Sequence, residues 1–157
     1  MELLYITLYA LIVDSIINLV LLKSGRGGYS IREWYRTFKS SALVMDVTSI
    51  VIATWLAVNL GKSVKQRAII LLCVQLVHDI SIGVYLKYNT FEKGTVFELW
   101  KRYSEELGTT VLMVDAFMLL LTYGMTFNKY HQAVETETIL YSNIVMLYIL
   151  TLLVNSF

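Results

Sequence analysis

Five continuous apolar stretches dominate this chain, and each is about as long as a membrane-spanning helix. They lie at about residues 3–22, 41–60, 68–87, 109–127 and 138–157. A helix needs about 20 mostly apolar residues to cross the hydrocarbon core of a bilayer, which is roughly 30 Å thick. The runs do not alternate every second residue, so they predict helices and not the strands of a barrel. The chain is thus predicted to be all-α, a single transmembrane domain of about five spans.

Composition agrees with this interpretation. Of the 157 residues, 57% are hydrophobic and 16% are charged, whereas soluble domains are usually about 25% charged. The formal net charge of +1 gives no basic field, so we expect a lipid bilayer and no nucleic acid as partner. Glu2 and the intramembrane Asp14 argue against a cleaved signal peptide. A bundle this small seldom encloses a wide pore alone, which leaves a homo-oligomer or a larger complex open.

The connecting loops predict an orientation. Residues 23–40 hold five Lys or Arg residues, and residues 87–108 hold four. The loops on the opposite side hold four in total, Lys62, Lys65, Arg67 and Lys129. Cytoplasmic loops are enriched in Lys and Arg. We therefore expect the N-terminus outside and the C-terminus in the cytoplasm.

The two long basic loops each contain a segment with an amphipathic pattern, Ser30–Phe38 and Thr95–Leu107. Segments of this kind lie along the membrane boundary as interfacial helices, with Trp and Tyr at the headgroup level. The order of span, Trp-containing segment and span occurs twice. Residues 3–60 and 68–127 are therefore predicted to form a parallel internal repeat.

Each of the first four spans contains one aspartate, and these residues dominate the functional interpretation. At 1.5 Å per residue, each lies roughly 10–14 Å from the nearest charge on the basic-loop side. The four are Asp14, Asp46, Asp79 and Asp115. Because successive spans alternate in direction, the four carboxyls are predicted to share one layer. An aspartate at a helix centre costs about 2.5–3.5 kcal/mol on insertion scales, so we expect all four to face the bundle interior.

Neutral polar residues accompany these carboxyls. The candidate supporting side chains are Asn18, Gln75, His78 and Thr122. No Lys or Arg lies at that depth, so protons, a bound cation, water or neighbouring donors must balance the acids. The leading hypothesis is a channel or carrier whose four aspartates bind protons or cations; the identity of any metal or other cofactor is left open.

Two alternatives stay open. The aspartates could be protonated packing contacts in a structural membrane protein or a subunit of a larger complex. The third hypothesis is a metal-dependent lipid-modifying enzyme with carboxylates and His78 as ligands. The sequence has no Ser/His/Asp or Cys/His spacing typical of a catalytic site, so no catalytic residue is assigned.

One region resembles a known group of proteins. The stretch Glu98–Asp115, with LVHDISIGVYLKYNTFEKGT before it, has an aspartate within an apolar run, a Tyr…Glu…Gly amphipathic segment and a second intramembrane aspartate. It resembles small multi-pass membrane proteins encoded by large double-stranded DNA viruses of algae and protists. The resemblance implies a viral or virus-infected membrane. That family has no established activity, so no catalytic residue is carried over.

Overall fold

A computed structural model describes residues 2–127 and 136–155, and all regular secondary structure in these ranges is helical. Among the first six, each short helix, α2 or α5 in the order below, lies between two long ones. The seven helices in chain order are α1 (Glu2–Ser24), α2 (Gly28–Phe38), α3 (Ser40–Leu60), α4 (Val64–Tyr88), α5 (Val96–Leu107), α6 (Thr109–Thr126) and α7 (Thr136–Asn155). The predicted all-α bundle is confirmed.

Four of these helices, α1, α3, α4 and α6, are long and apolar enough to cross a membrane. They contain 18 to 25 residues, which at 1.5 Å per residue is about 27–38 Å. Helix α4 begins four residues before the predicted span because the Ser63 side chain caps it, accepting the Gln66 backbone N–H at 3.2 Å. The chain is therefore an integral membrane protein.

Helix α7 coincides with most of the predicted fifth span. It packs against α1, and the Asn143 side-chain amide donates to the Leu4 carbonyl at 3.2 Å. Residues 156–157, at the end of that predicted span, lie outside the described residues, as does Lys129, which entered the charge count. The fifth crossing therefore stays a prediction.

The two predicted amphipathic segments are the short helices α2 and α5, and they pack against each other. The Trp34 and Trp100 rings contact each other with their centroids 5.8 Å apart. The Arg102 guanidinium pairs with the Glu33 carboxylate at 2.9 Å across the two helices. Together α2 and α5 cover one end of the bundle.

The two short helices begin differently. The N-terminus of α2 uses a carboxylate from α5, since Glu106 accepts the backbone N–H groups of Tyr29 at 2.6 Å and Ser30 at 2.9 Å. Gly28 has φ +73°, and a Cβ there would meet the Glu106 carboxylate. Helix α5 is capped locally by Thr95, which accepts the Glu98 N–H at 3.4 Å. Glycine at position 28 thus makes room for a cap from Glu106, which lies 77 residues after Tyr29.

The helix contacts made by residues 2–60 have counterparts in those made by residues 64–126, if α1 is matched with α4 and α3 with α6. The pair α1–α3 corresponds to α4–α6, and α1–α6 corresponds to α4–α3; all four pairs are in contact. The backbone between the short helix and the following long one also repeats: Lys39 has φ 49° and ψ −126°, and Gly108 has φ 53° and ψ −131°. Each lies seven residues before an aspartate, Asp46 or Asp115. These equivalences are those expected of the predicted repeat, which itself stays a prediction.

Candidate acidic site between the spans

Asp14 on α1 is fully buried. Its Oδ1 accepts a hydrogen bond from the Asn18 side-chain amide at 2.9 Å, as the spacing of four residues on a helix allows. Its Oδ2 is also buried and accepts no hydrogen bond within the described part of the chain. Asp14 therefore keeps one oxygen without a protein donor.

Asp46 on α3 is held by the neighbouring interfacial helix. Its Oδ2 accepts the Tyr35 hydroxyl at 2.9 Å and the Trp34 indole N–H at 3.3 Å. Burial, followed by the nearness of Asp46, raises the pKa of Tyr35 well above 10, so this hydroxyl is a protonated donor at neutral pH. The sequence analysis did not identify either donor. The amphipathic pattern placed Trp34 and Tyr35 at the membrane boundary but did not show that they turn towards the spans.

Asp79 on α4 has partners from its own helix. Its Oδ1 accepts the Gln75 side-chain amide at 2.6 Å and lies 3.0 Å from His78 Nδ1. The His78 side chain is 52% exposed, whereas that of Asp79 is 11% exposed. Asp79 Oδ2 is buried without a hydrogen-bond partner in the described residues. This acid is therefore linked through His78 to the outside of the bundle.

Asp115 on α6 lies near the hydroxyl of Tyr103 from α5. Burial raises the pKa of Tyr103, and the negative charges of Asp115, Asp46 and Asp14 raise it further, in that order. One tyrosine thus interacts electrostatically with three of the four acids. Tyr103 was not among the predicted site residues, since nothing in its position within the amphipathic segment indicates that it points inward.

One cavity of about 370 Å³ joins these elements, and all four aspartates line it. The predicted supporting residues Asn18, Gln75 and His78 line it as well. Thr122 does not belong to the described lining; it is fully buried about 10 Å further along α6 than Asp115. The cavity also contains side chains that sequence reasoning missed, namely Trp34, Trp100, Tyr103, Ser104 and Thr109.

The four carboxyls of this cavity have few basic residues near them to balance a negative charge. No Lys or Arg belongs to its lining in the part of the chain that the structure describes, and His78 is the one basic side chain there. An isolated carboxylate is costly to transfer from water into an apolar interior. Protons, bound cations or water must therefore compensate for the acids that the local donors leave unsatisfied.

The spacing of the ligating side chains bears on which cation is suitable. Within residues 2–127 and 136–155, no group of three or more His, Cys, Asp and Glu side chains could hold a metal ion. Hard divalent cations such as Ca²⁺ are bound by six to eight oxygens at 2.3–2.6 Å. The hypothesis of a metal-dependent enzyme stays a prediction.

Exposed lining residues show where the cavity meets its surroundings. His78 on α4 and Ser49 on α3 are exposed within the spans, and Gly108 and Thr109 are exposed where α6 begins. The last two are at the end of the bundle that carries α5. The cavity is thus reachable from the level of the short helices.

Comparisons with protein-family models, curated proteins and solved structures find no match to this chain. The resemblance to small viral membrane proteins therefore stays a prediction, and the interpretation of the site depends on its own geometry.

Proposed function

We propose that this integral membrane protein is a small channel or carrier that handles protons or cations through its acid-lined cavity. The observation that carries the proposal is that four aspartates from four separate helices line a single cavity. Intramembrane carboxyls of this kind commonly mark ion pathways and proton relays in pumps and transporters. Asn18, Gln75 and His78 supply neutral ligands or relay groups next to the carboxyls.

Two buried oxygens support a role in binding rather than in packing alone. Oδ2 of Asp14 and Oδ2 of Asp79 accept no hydrogen bond among the described residues, although the other oxygen of each carboxyl is well satisfied. A buried polar atom without a partner costs about 1–3 kcal/mol. A bound cation supplies the missing partner, and a bound proton removes the negative charge of the carboxylate; arrival and departure of either constitute the transport step.

The charge bias of the loops supports an orientation with the N-terminus outside and the C-terminus in the cytoplasm. In this orientation the cavity lies nearer the cytoplasmic face. The orientation is tested by labelling Lys93→Cys in a Cys73→Ser background with a membrane-impermeant thiol reagent. Labelling from the outside of intact cells would reverse it.

A structural role is the second candidate, and one observation favours it. Asp14, Asp46 and Asp79 each accept a hydrogen bond from a separate side chain, as expected of acids that act as structural contacts. In this case the acids hold the helices together and no ion passes through the cavity.

Flux measurements with single Asp→Asn variants separate the two candidates. Purified protein is reconstituted into proteoliposomes, and proton or monovalent cation flux is followed under an imposed gradient. Asparagine retains the shape and the hydrogen-bonding capacity of aspartate but carries no charge. We expect flux to fall at least tenfold in Asp14→Asn and Asp79→Asn, and to be unchanged in Glu105→Gln, an exposed carboxylate on α5.

Two results would contradict transport. One is wild-type protein that is folded in the vesicles and gives no flux above that of empty liposomes. The other is a full set of folded Asp→Asn variants with wild-type flux. Loss of thermal stability in these variants, with no flux in any protein, would favour the structural role.

A further inference from the structure

We propose that the cavity binds an organic ammonium ion with apolar substituents, such as a lipophilic amine in its protonated form or a quaternary ammonium. This inference rests on the proposed function, because it names the class of cation that the acid-lined cavity takes. It follows from three features of the same lining: the size, the aromatic rings and the unpartnered carboxyl oxygen.

The size and the chemistry of the wall fit an organic molecule. A volume of about 370 Å³ is within the range of about 300–1,000 Å³ for small-molecule sites. Beyond the acids and a few neutral polar groups, most of the lining is aliphatic, including Ile50, Leu99, Val114 and Leu119. A hydrated metal ion gains nothing from such walls, whereas alkyl or aryl groups are well accommodated by them.

Aromatic rings line the end of the cavity that α2 and α5 cover. Trp34, Trp100 and Tyr103 belong to its lining, and the two indole rings lie 5.8 Å apart. Faces of Trp and Tyr attract ammonium groups through the ring quadrupole, and aromatic sites of this kind recognise quaternary ammonium ligands. Rings and carboxylates in one cavity together select for an ammonium that is partly apolar.

Asp14 supplies the charged contact. The residue is fully buried and lines the cavity, and its Oδ2 accepts no hydrogen bond from the described residues. Asp46 is already occupied by Trp34 and Tyr35. No trio of His, Cys, Asp or Glu side chains among the described residues is suited to a metal. An ammonium group needs no such compact ligand shell, because one carboxylate and the ring faces balance it.

The route of entry is consistent with a lipophilic cation. Gly108 and Thr109 are exposed and line the cavity at the level of the short helices. Amphipathic molecules concentrate at this boundary between headgroups and acyl chains. The ligand therefore reaches the acids from the membrane boundary without crossing the hydrocarbon core.

Tryptophan fluorescence provides the test. Trp55 is exposed on α3 and is not part of the described cavity lining, so Trp55→Phe leaves Trp34 and Trp100 as the only indoles. This protein in detergent is titrated with benzyltrimethylammonium, whose charge does not depend on pH, and separately with Na⁺, K⁺ and Ca²⁺. We expect a saturable fluorescence change with the organic cation and none with the metal ions.

Variants assign the binding to the cavity. We expect the affinity, measured by calorimetry, to fall at least tenfold in Asp14→Asn and at least threefold in Trp100→Leu. Thr48→Ala is the control, because Thr48 is exposed and bonds only to its own helix; its affinity should be that of the parent protein. If Asp14→Asn does not fold, Asp115→Asn tests the same charge requirement.

Absence of saturable binding, or equal affinity in the folded Asp→Asn and parent proteins, overturns the inference. Inhibition of the organic cation by Na⁺ or Ca²⁺ at equal concentration also overturns it. Proteoliposome flux distinguishes the two proposals. Aspartate-dependent proton flux without ammonium binding leaves the proposed function in place and removes this inference. Ammonium binding without any flux retains the site and removes transport.

Discussion

The two halves of the bundle, residues 2–60 and 64–126, differ in how they surround their aspartates. In the apolar windows of α1 and α3, 33% and 44% of residues are buried, against 11% and 22% in α4 and α6. Asp14 is fully buried and Asp46 is clamped by Trp34 and Tyr35. Asp79 instead lies beside the half-exposed His78. The helices that carry the aspartates of the first half are therefore more deeply buried in the bundle than those of the second half.

The largest expected effect concerns the two hydrogen bonds that Asp46 accepts from Trp34 and Tyr35. Tyr35→Phe removes the 2.9 Å hydrogen bond and leaves a buried carboxyl oxygen with only the longer bond from Trp34. We expect the free energy of unfolding to fall by about 2–3 kcal/mol, the usual cost of a lost bond to a charged or buried group. Denaturant titration in micelles measures this.

Tyr103→Phe is the matched change in the second half. Tyr103 lies near three acids but donates no hydrogen bond to any described residue, so we expect a loss below about 1 kcal/mol. Equal losses in the two variants would remove the distinction between a clamped and an unclamped half.

The second prediction compares the turns that precede α3 and α6. Gly108 and Lys39 have nearly the same backbone angles with positive φ, a conformation that costs residues other than glycine about 1–3 kcal/mol. We expect Gly108→Ala to lower the free energy of unfolding by about 1–2 kcal/mol. Lys39→Gly should raise it by up to about 1 kcal/mol, because it releases the same strain in the first half.

Gly124→Ala serves as the control for Gly108→Ala. Gly124 lies inside α6, where an added Cβ meets nothing within 4 Å and φ is not positive. Thermal unfolding of this variant should match or exceed that of the parent, since alanine favours helix. A destabilisation as large as that of Gly108→Ala would show that volume, and not backbone strain, determines the effect.

The smallest expected effect concerns Glu106 of α5, which caps the N-terminus of α2. Glu106→Gln weakens the bonds to the backbone of Tyr29 and Ser30, and we expect a loss of about 0.5–1 kcal/mol, as for other N-cap changes. Bonds from the Ser30 hydroxyl and from the Tyr29 and Ser30 N–H groups lower the pKa of Glu106 from 4.5. Its contribution is thus complete above that value.

The pH dependence follows from that direction. As the pH falls below about 4.5 and through the lowered pKa of the native state, Glu106 takes up a proton and its stabilising contribution is lost. The stability difference between the parent and Glu106→Gln should therefore shrink in acid. Glu105→Gln, one position away and exposed, is the control variant, and its stability at neutral pH should match that of the parent.

Much of this architecture could be predicted from the sequence because a bilayer imposes strong rules. The length of the apolar runs specified four of the spans. The predicted common level of the four aspartates stays a prediction, although all four line one cavity. The partners of the acids could not be predicted. Trp34 and Tyr35 contact Asp46 only because the turn at Lys39 folds α2 back against α3, and no periodicity encodes that angle.

Thr122 shows a different limit of sequence reasoning, and its supporting role stays a prediction. Its spacing of seven from Asp115 places it on the same helical face, which suggested a shared site. Two turns of helix separate the residues by about 10 Å, and Thr122 is fully buried on α6, which packs against α1 and α3. A common face is therefore not a common cavity, since the distance along the helix axis also has to match.

The Glu106 cap has a consequence for the order of biosynthesis. In the first turn of α2, Tyr29 leaves the ribosome 77 residues before Glu106, whose carboxylate accepts its N–H. Until α5 has been made, the leading amides of α2 must bond to water or to lipid headgroups. A truncated product ending after α3 would carry the clamp residues for Asp46 on a helix whose first turn lacks its acceptor. Capping of α2 in the first half therefore depends on Glu106 in the second half.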